Sequence, residues 1–126
     1  MSEIVLVPVS IGELFDKYTI LQIKLEMIHD NEKQINIKKE IEYLQPFIYK
    51  YKIDEVFINE LKEINKRLWN IEDKIRDKER HKEFDNEFIE LARSVYIIND
   101  KRSEAKNKIN TILNSCLTDI KSYAKY

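Results

Sequence analysis

One glycine and two prolines in 126 residues leave this chain very few turn-makers. Folds that change direction often consume those residues. β-Sandwiches, barrels, Rossmann turns and glycine-rich phosphate loops are therefore nearly excluded. A few long helices joined by short connections remain. The length suits one hydrophobic core, and residues 1–126 read as a single helical domain. Hydrophobic residues make up 43% and charged residues 36%, enough for a core inside a well-solvated surface. The expected fold is all-α: an antiparallel bundle of about four helices with a short extended N-terminal arm.

Charge narrows the partners. Lysine plus arginine number 22 against 23 acidic residues, a net of −1. Nucleic-acid binding rests on phosphate neutralisation, so a near-neutral chain argues against such a partner. Residues 1–30 carry −3 and residues 101–126 carry +4, a polarity that suits antiparallel packing. No apolar run nears the roughly 18–20 residues of a membrane span. The opening Ile4-Val5-Leu6-Val7-Pro8-Val9 is too short, and lacks the basic flank, for a signal peptide. A cytoplasmic protein is expected. The single cysteine, Cys116, excludes an intramolecular disulfide and a cysteine-based zinc site. His29 and His81 leave little for a histidine metal centre, and no cofactor motif is present.

Ile4 to Val9 is β-branched and reads as extended. A single strand cannot satisfy its own backbone, so the arm either lies across helices or pairs with its copy in a homodimer. Ser10-Ile11-Gly12-Glu13 has the form of a capping box, opening a helix to about Ile28. Leu14, Tyr18, Leu21, Leu25 and Ile28 form its apolar stripe, widened by Ile11, Phe15, Ile20, Ile23 and Met27. A second helix covers about 32–51, with Pro46 expected to kink or end it near Leu44. Asp54 caps a third over about 55–80. Asp85 caps a fourth whose pattern runs through Leu113, Cys116, Leu117 and Ile120. Unbroken, that helix is roughly 55 Å long at 1.5 Å per residue. It is expected either to break near Asn99-Asp100 or to project toward another protomer.

Polar residues on these stripes mark the candidate site. Asn65, Trp69, Glu72 and Arg76 share a face of the third helix. Ala92, Tyr96, Asn99 and Lys106 share one on the fourth, with Arg102 and Arg93 on adjoining rows. Glu13, Lys17 and Lys24 border the first helix's stripe, near Asp16 and Thr19. Packing by the stripes makes these groups converge, and buried charge must be paired or liganded. One outcome is a salt-bridge network that fixes helix register. The other is an anion-binding cleft between the first, third and fourth helices. Its ligand residues are Glu13, Lys17, Lys24, Trp69, Glu72, Arg76, Arg93, Tyr96, Asn99, Arg102 and Lys106, with Trp69 or Tyr96 as a stacking wall. Glu72, Asp73 and Asp77 lack the second acidic set that a helical pyrophosphohydrolase places on another helix. No nucleophile stands out, and no reaction is assigned.

Several words carry a resemblance. They are Val7-Pro8-Val9-Ser10-Ile11-Gly12-Glu13-Leu14, Leu68-Trp69 with Ile71-Glu72-Asp73 and Ile75-Arg76, and Leu91-Ala92-Arg93 with Val95-Tyr96, Asn99-Asp100 and Arg102. On these the chain resembles a family of small uncharacterised bacterial helical proteins, a domain of unknown function, over nearly its whole length. Its members resemble accessory proteins near glycan or lipopolysaccharide assembly genes. The resemblance implies a sugar-nucleotide or acidic-sugar ligand and assigns no activity. Small helical chorismate mutases also open with a long helix, but they need arginines there, and this helix has only Lys17 and Lys24.

Overall fold

The computed structural model describes residues 2–124. Four helices follow one another: α1 (Ile11–Met27), α2 (Asn31–Tyr49), α3 (Glu55–Arg80) and α4 (Asn86–Ile112). Among the described residues there is no strand. The all-α bundle with an N-terminal arm is therefore as expected.

Each helix starts where a short polar side chain can take an orphan amide. Ser10 accepts from Glu13 N (3.0 Å), Asp30 from Lys33 N (2.9 Å), Asp54 from Val56 N (3.0 Å) and Asp85 from Phe88 N (3.0 Å). Only half of the capping box forms at α1. The Glu13 carboxylate goes to Lys106 Nζ at 2.6 Å.

Two boundaries differ from expectation. α2 runs through Pro46 to Tyr49. Pro46 is exposed, so the carbonyl it leaves unpaired one turn back opens to water rather than into a core. α4 neither breaks at Asn99-Asp100 nor continues to Ile120. It is unbroken to Ile112, and Asn114 then turns left-handed with φ 54°. Ser115 N donates to Asn110 O (2.8 Å) and Asn114 N to Thr111 O (3.3 Å), a Schellman end. α3 ends the same way at Lys82, φ 54°, with Glu83 N on Lys78 O and Lys82 N on Glu79 O. The spacing of Leu113, Cys116, Leu117 and Ile120 is thus not helical, and Ile120 is exposed.

α3 and α4 form a long antiparallel hairpin. Lys108 meets Glu60 at its base (3.0 Å). At its tip Lys78 gathers Asp85 (2.9 Å), Glu83 (3.1 Å) and Glu87 (3.2 Å). α1 packs on both, and α2 packs on α1. The core joins Phe15, Ile48, Leu61, Ile64, Ile98, Ala105 and Ile109. It occupies only the base of the hairpin, for no residue from 66 to 97 is buried. The lone glycine permits the tightest crossing. A Cβ on Gly12 would lie 2.3 Å from Lys106 O of α4. That approach sets the depth of α1 against α4, and with it the position of Asp16 one turn on. No helix among the described residues is long and apolar enough to cross a membrane.

Candidate functional site

The centre of the polar cluster is Asp16. Gly12, Asp16, Thr19 and Ile23 recur at helical spacing and are all buried, Asp16 at 1% and Thr19 at 0% exposure. Asn65 Nδ2 donates to Asp16 Oδ1 (2.9 Å) and to Thr19 Oγ1 (3.0 Å). The Thr19 hydroxyl donates to the Asp16 carbonyl (2.9 Å). These bonds orient the carboxylate toward α4, where Arg102 takes it with both N–H groups of one edge: Nε donates to Oδ1 (2.9 Å) and Nη2 to Oδ2. A two-bond pair fixes the plane of the guanidinium as well as its position.

Arg102 has donors to spare. A guanidinium carries five N–H groups, and Asp16 takes two. Among the described residues Nη1 has no hydrogen-bond partner, and the side chain is 30% exposed. Asp16 beside it raises the guanidinium pKa; burial opposes this, and Glu13 and Asp119 add to it. The group is therefore a permanent, oriented cation with one edge open.

Arg102 lines two clefts. The first, about 490 Å³, is lined by Ile20 of α1, by Asn65, Leu68, Trp69, Glu72, Asp73 and Arg76 of α3, and by Asn99 and Arg102. The second, about 510 Å³, is lined by Val95, Tyr96, Asn99, Asp100 and Arg102, and by Lys121 and Tyr123 of the C-terminal segment. Asn99 and Arg102 are the lining residues common to both. Each volume falls in the range of small-molecule sites, about 300–1,000 Å³. The first cleft opens where the hairpin runs beyond the core.

A second network backs the first. Lys106 is buried and meets Glu13 (2.6 Å) and Asp119 (3.7 Å). Asp119 Oδ2 accepts from Ser103 Oγ (2.6 Å). Asn107 accepts from Thr118 Oγ1 (2.7 Å) and Asp119 N (2.9 Å), and donates to the Asp119 carbonyl (2.9 Å). The open end of α1 is closed by the same segment and by α4: Ile11 N donates to Ser115 Oγ (3.0 Å) and Gly12 N to Asn110 Oδ1 (2.6 Å). These bonds seat residues 115–119 on the bundle, and Lys121 and Tyr123 follow directly.

The expected ligand residues therefore divide by place. Trp69, Glu72 and Arg76 face the first cleft, Tyr96 the second, and Asn99 and Arg102 both. Glu72 and Arg76 stand at 3.8 Å. Glu13 and Lys106 lie behind them in the second network. Lys17, Lys24 and Arg93 lie outside both clefts. Lys17 pairs with Glu40 of α2 (2.7 Å). Lys24 has no ion pair among the described residues. Arg93 is exposed and bonds Glu90 (2.9 Å), its pKa raised first by the Tyr96 phenol and then by Glu90. The sequence reading did not count Asp16, Asn65, Lys121 or Tyr123 as ligand residues. For Asp16 a signal existed, since the chain's lone glycine begins the buried face that holds it. Lys121 and Tyr123 reach the site through long-range bonds of Asn107 and Asp119 that no local pattern encodes.

Chemically the arrangement offers hydrogen-bond donors to an acidic group, an indole face for a ring, and carboxylates for hydroxyls. Among the described residues no group of three or more His, Cys, Asp or Glu side chains could hold a metal ion. No curated protein and no solved structure matches the chain. A family model does, over residues 5–126, and on that match the chain belongs to the family of unknown function DUF6165.

Proposed function

We propose that the protein binds a small anionic ligand, a phosphate, a carboxylate or the diphosphate of a sugar nucleotide, in the polar cleft between α1, α3 and α4. The observation that carries this is the open edge of Arg102. Its guanidinium is locked by a buried carboxylate and keeps unused donors, and the residue lines both clefts. Fixing a long side chain before a ligand arrives lowers the entropic cost of binding. Trp69 and Tyr96 serve as ring contacts, and Asn99 as a second donor.

A second reading has its own support. No buried side-chain nitrogen or oxygen among the described residues lacks a partner. Such a complete network also suits an interaction adaptor whose charges only fix helix packing. We further propose that the protein is a homodimer, supported by its exposed apolar arm. The exposed free thiol of Cys116 supports a reducing, cytoplasmic setting.

Thermal denaturation with inorganic phosphate, pyrophosphate, malonate and uridine diphosphate separates the two readings. A ligand at 100 times its Kd adds about 2.7 kcal/mol. In Arg102→Lys a cation still faces Asp16 but the two-bond geometry is lost. Ligand stabilisation is expected to vanish in Arg102→Lys, weaken in Asn99→Ala and persist in Arg93→Ala. If none of the four stabilises the parent, or if Arg102→Lys responds as the parent does, the anion reading is overturned and the adaptor reading stands.

A further inference from the structure

The two clefts that Arg102 lines differ in charge. In the first the ionised side chains balance, Glu72 and Asp73 against Arg76 and Arg102. In the second Arg102 and Lys121 stand against Asp100 alone, a surplus of one cation. That cation is held in place. Lys121 follows the seated residues 115–119, and its ammonium stands 3.9 Å from Asp119. Tyr123 adds a phenol there, a further hydrogen-bond donor to an anion. An anion is therefore favoured in the second cleft, and a group without net charge in the first.

The walls of the first cleft define that neutral group. Ionised Glu72 and Asp73 accept hydrogen bonds and cannot donate them, whereas Arg76 and the Trp69 indole donate and cannot accept. The side chains of Trp69, Asp73 and Asn99 make no hydrogen bond and no ion pair among the described residues. Glu72 and Arg76 stand at 3.8 Å, too far for a hydrogen bond. A hydroxyl serves both kinds of wall, donating to a carboxylate while accepting from an N–H. Half-buried Trp69 adds a flat apolar face for the carbons that carry the hydroxyls. A wholly apolar ring would strip water from both carboxylates and return no hydrogen bond. An ammonium would meet Arg76 and Arg102 as well as the carboxylates. We infer that the ligand is a phosphate ester of a hydroxylated six-membered ring. Its phosphate lies on Arg102 and Lys121 in the second cleft, and its ring lies over Trp69 in the first, with hydroxyls on Glu72 and Asp73. This rests on the anion reading above and names its ligand class. The clefts share Asn99 and Arg102, so phosphate and ring need no spacer longer than the ester oxygen.

Isothermal titration calorimetry of the full chain tests this. The probes are inorganic phosphate, the 1-phosphates of glucose, galactose and mannose, cyclohexyl phosphate and uridine monophosphate. Cyclohexyl phosphate has the ring size and charge of the hexose phosphates without their hydroxyls. At least one hexose phosphate is expected to bind about tenfold or more tighter than cyclohexyl phosphate, because a wall built for hydroxyls rejects the analogue that lacks them. Trp69→Ala and Asp73→Ala should each remove that preference. Lys121→Ala should weaken every phosphate, inorganic phosphate included, by about tenfold. Trp69, Asp73 and Lys121 supply nothing to the core, so a cooperative melt serves as the check that each variant is folded. If no phosphate compound binds, or if Arg102→Lys binds them all as the parent does, the anion reading falls and this inference falls with it. If phosphate binds through Arg102 but no hexose phosphate outdoes cyclohexyl phosphate, or uridine monophosphate outdoes all three, the hydroxylated ring alone is overturned. A hexose preference that survives both Trp69→Ala and Asp73→Ala, or phosphate binding indifferent to Lys121→Ala, overturns the division between the clefts.

Discussion

Gly12→Ala puts two opposite effects on one atom. Alanine is the better helix former by about 1 kcal/mol, so an exposed glycine replaced in a helix would raise stability. At Gly12 the added Cβ would sit 2.3 Å from Lys106 O, 2.9 Å from Lys106 C and 3.0 Å from Asn110 Oδ1. The first two are backbone atoms inside α4 and cannot rotate away. α1 must therefore withdraw from α4 by roughly 1 Å to reach ordinary van der Waals contact. Overpacking of this kind costs about 1–3 kcal/mol. The withdrawal also strains the bond from Gly12 N to Asn110 Oδ1 (2.6 Å), itself worth about 1 kcal/mol. Sterics outweigh propensity, and the net loss is about 2–3 kcal/mol. At this chain length that lowers Tm by about 10 °C. Circular dichroism melts of parent and variant read it directly. A Tm that is unchanged or raised would refute the close crossing and the depth of α1 that positions Asp16.

Three further outcomes follow from the structure. Lys82 and Asn114 both hold φ at 54° where a Cβ is disfavoured, so Lys82→Gly and Asn114→Gly should each stabilise by about 0.5–1 kcal/mol in urea denaturation; a loss at both contradicts the Schellman ends. Arg102→Met leaves the Asp16 carboxylate buried without its cation and should cost about 3 kcal/mol, while adding Asp16→Leu should recover most of it; equal losses in the single and double variants would show that the two side chains are not coupled. Burial pushes the Asp119 carboxyl up, but the Ser103 hydroxyl and the Lys106 and Lys121 ammonium groups outweigh it and hold the pKa below its ordinary value. A depressed folded-state pKa gives stability that is present above the unfolded value, about 3.9, and is lost as pH falls through the folded one. The protection factor of the residue 119 amide, its exchange relative to the intrinsic rate at each pH, should therefore fall below about pH 4 in the parent and stay level in Asp119→Asn; an equal fall in both would contradict the part that the Asp119 carboxylate plays in seating residues 115–119.

Legibility in the sequence tracked how local the physics was. Ser10, Asp54 and Asp85 announce their helices because a cap is decided within three residues. Asn65, Trp69, Glu72 and Arg76 reach one cleft wall because helical spacing alone puts them on one face. The end of α4 was not legible, because Leu113, Cys116 and Leu117 keep an apolar rhythm past the residue where Asn114 reverses the chain. Pro46 misled in the other direction, since its cost depends on whether the freed carbonyl meets water, a property of the packed state. Asp16 is legible as a neighbour of the candidate residues but not as their centre. A carboxylate among Phe15, Thr19 and Ile23 reads as an interruption of a stripe until Asn65 and Arg102, far along the chain, are brought to it. Ligand groups on the C-terminal segment depend on Asn107 and Asp119, a pairing only the tertiary fold creates.

The measurement that bears most directly on the anion reading follows the guanidinium resonances of the five arginines during titration with inorganic pyrophosphate. The account predicts a saturable shift of the Arg102 resonances, smaller shifts at Arg76 across the cleft, and none at exposed Arg80 and Arg93. Static Arg102 resonances, or one weak drift shared by all five arginines, would contradict it.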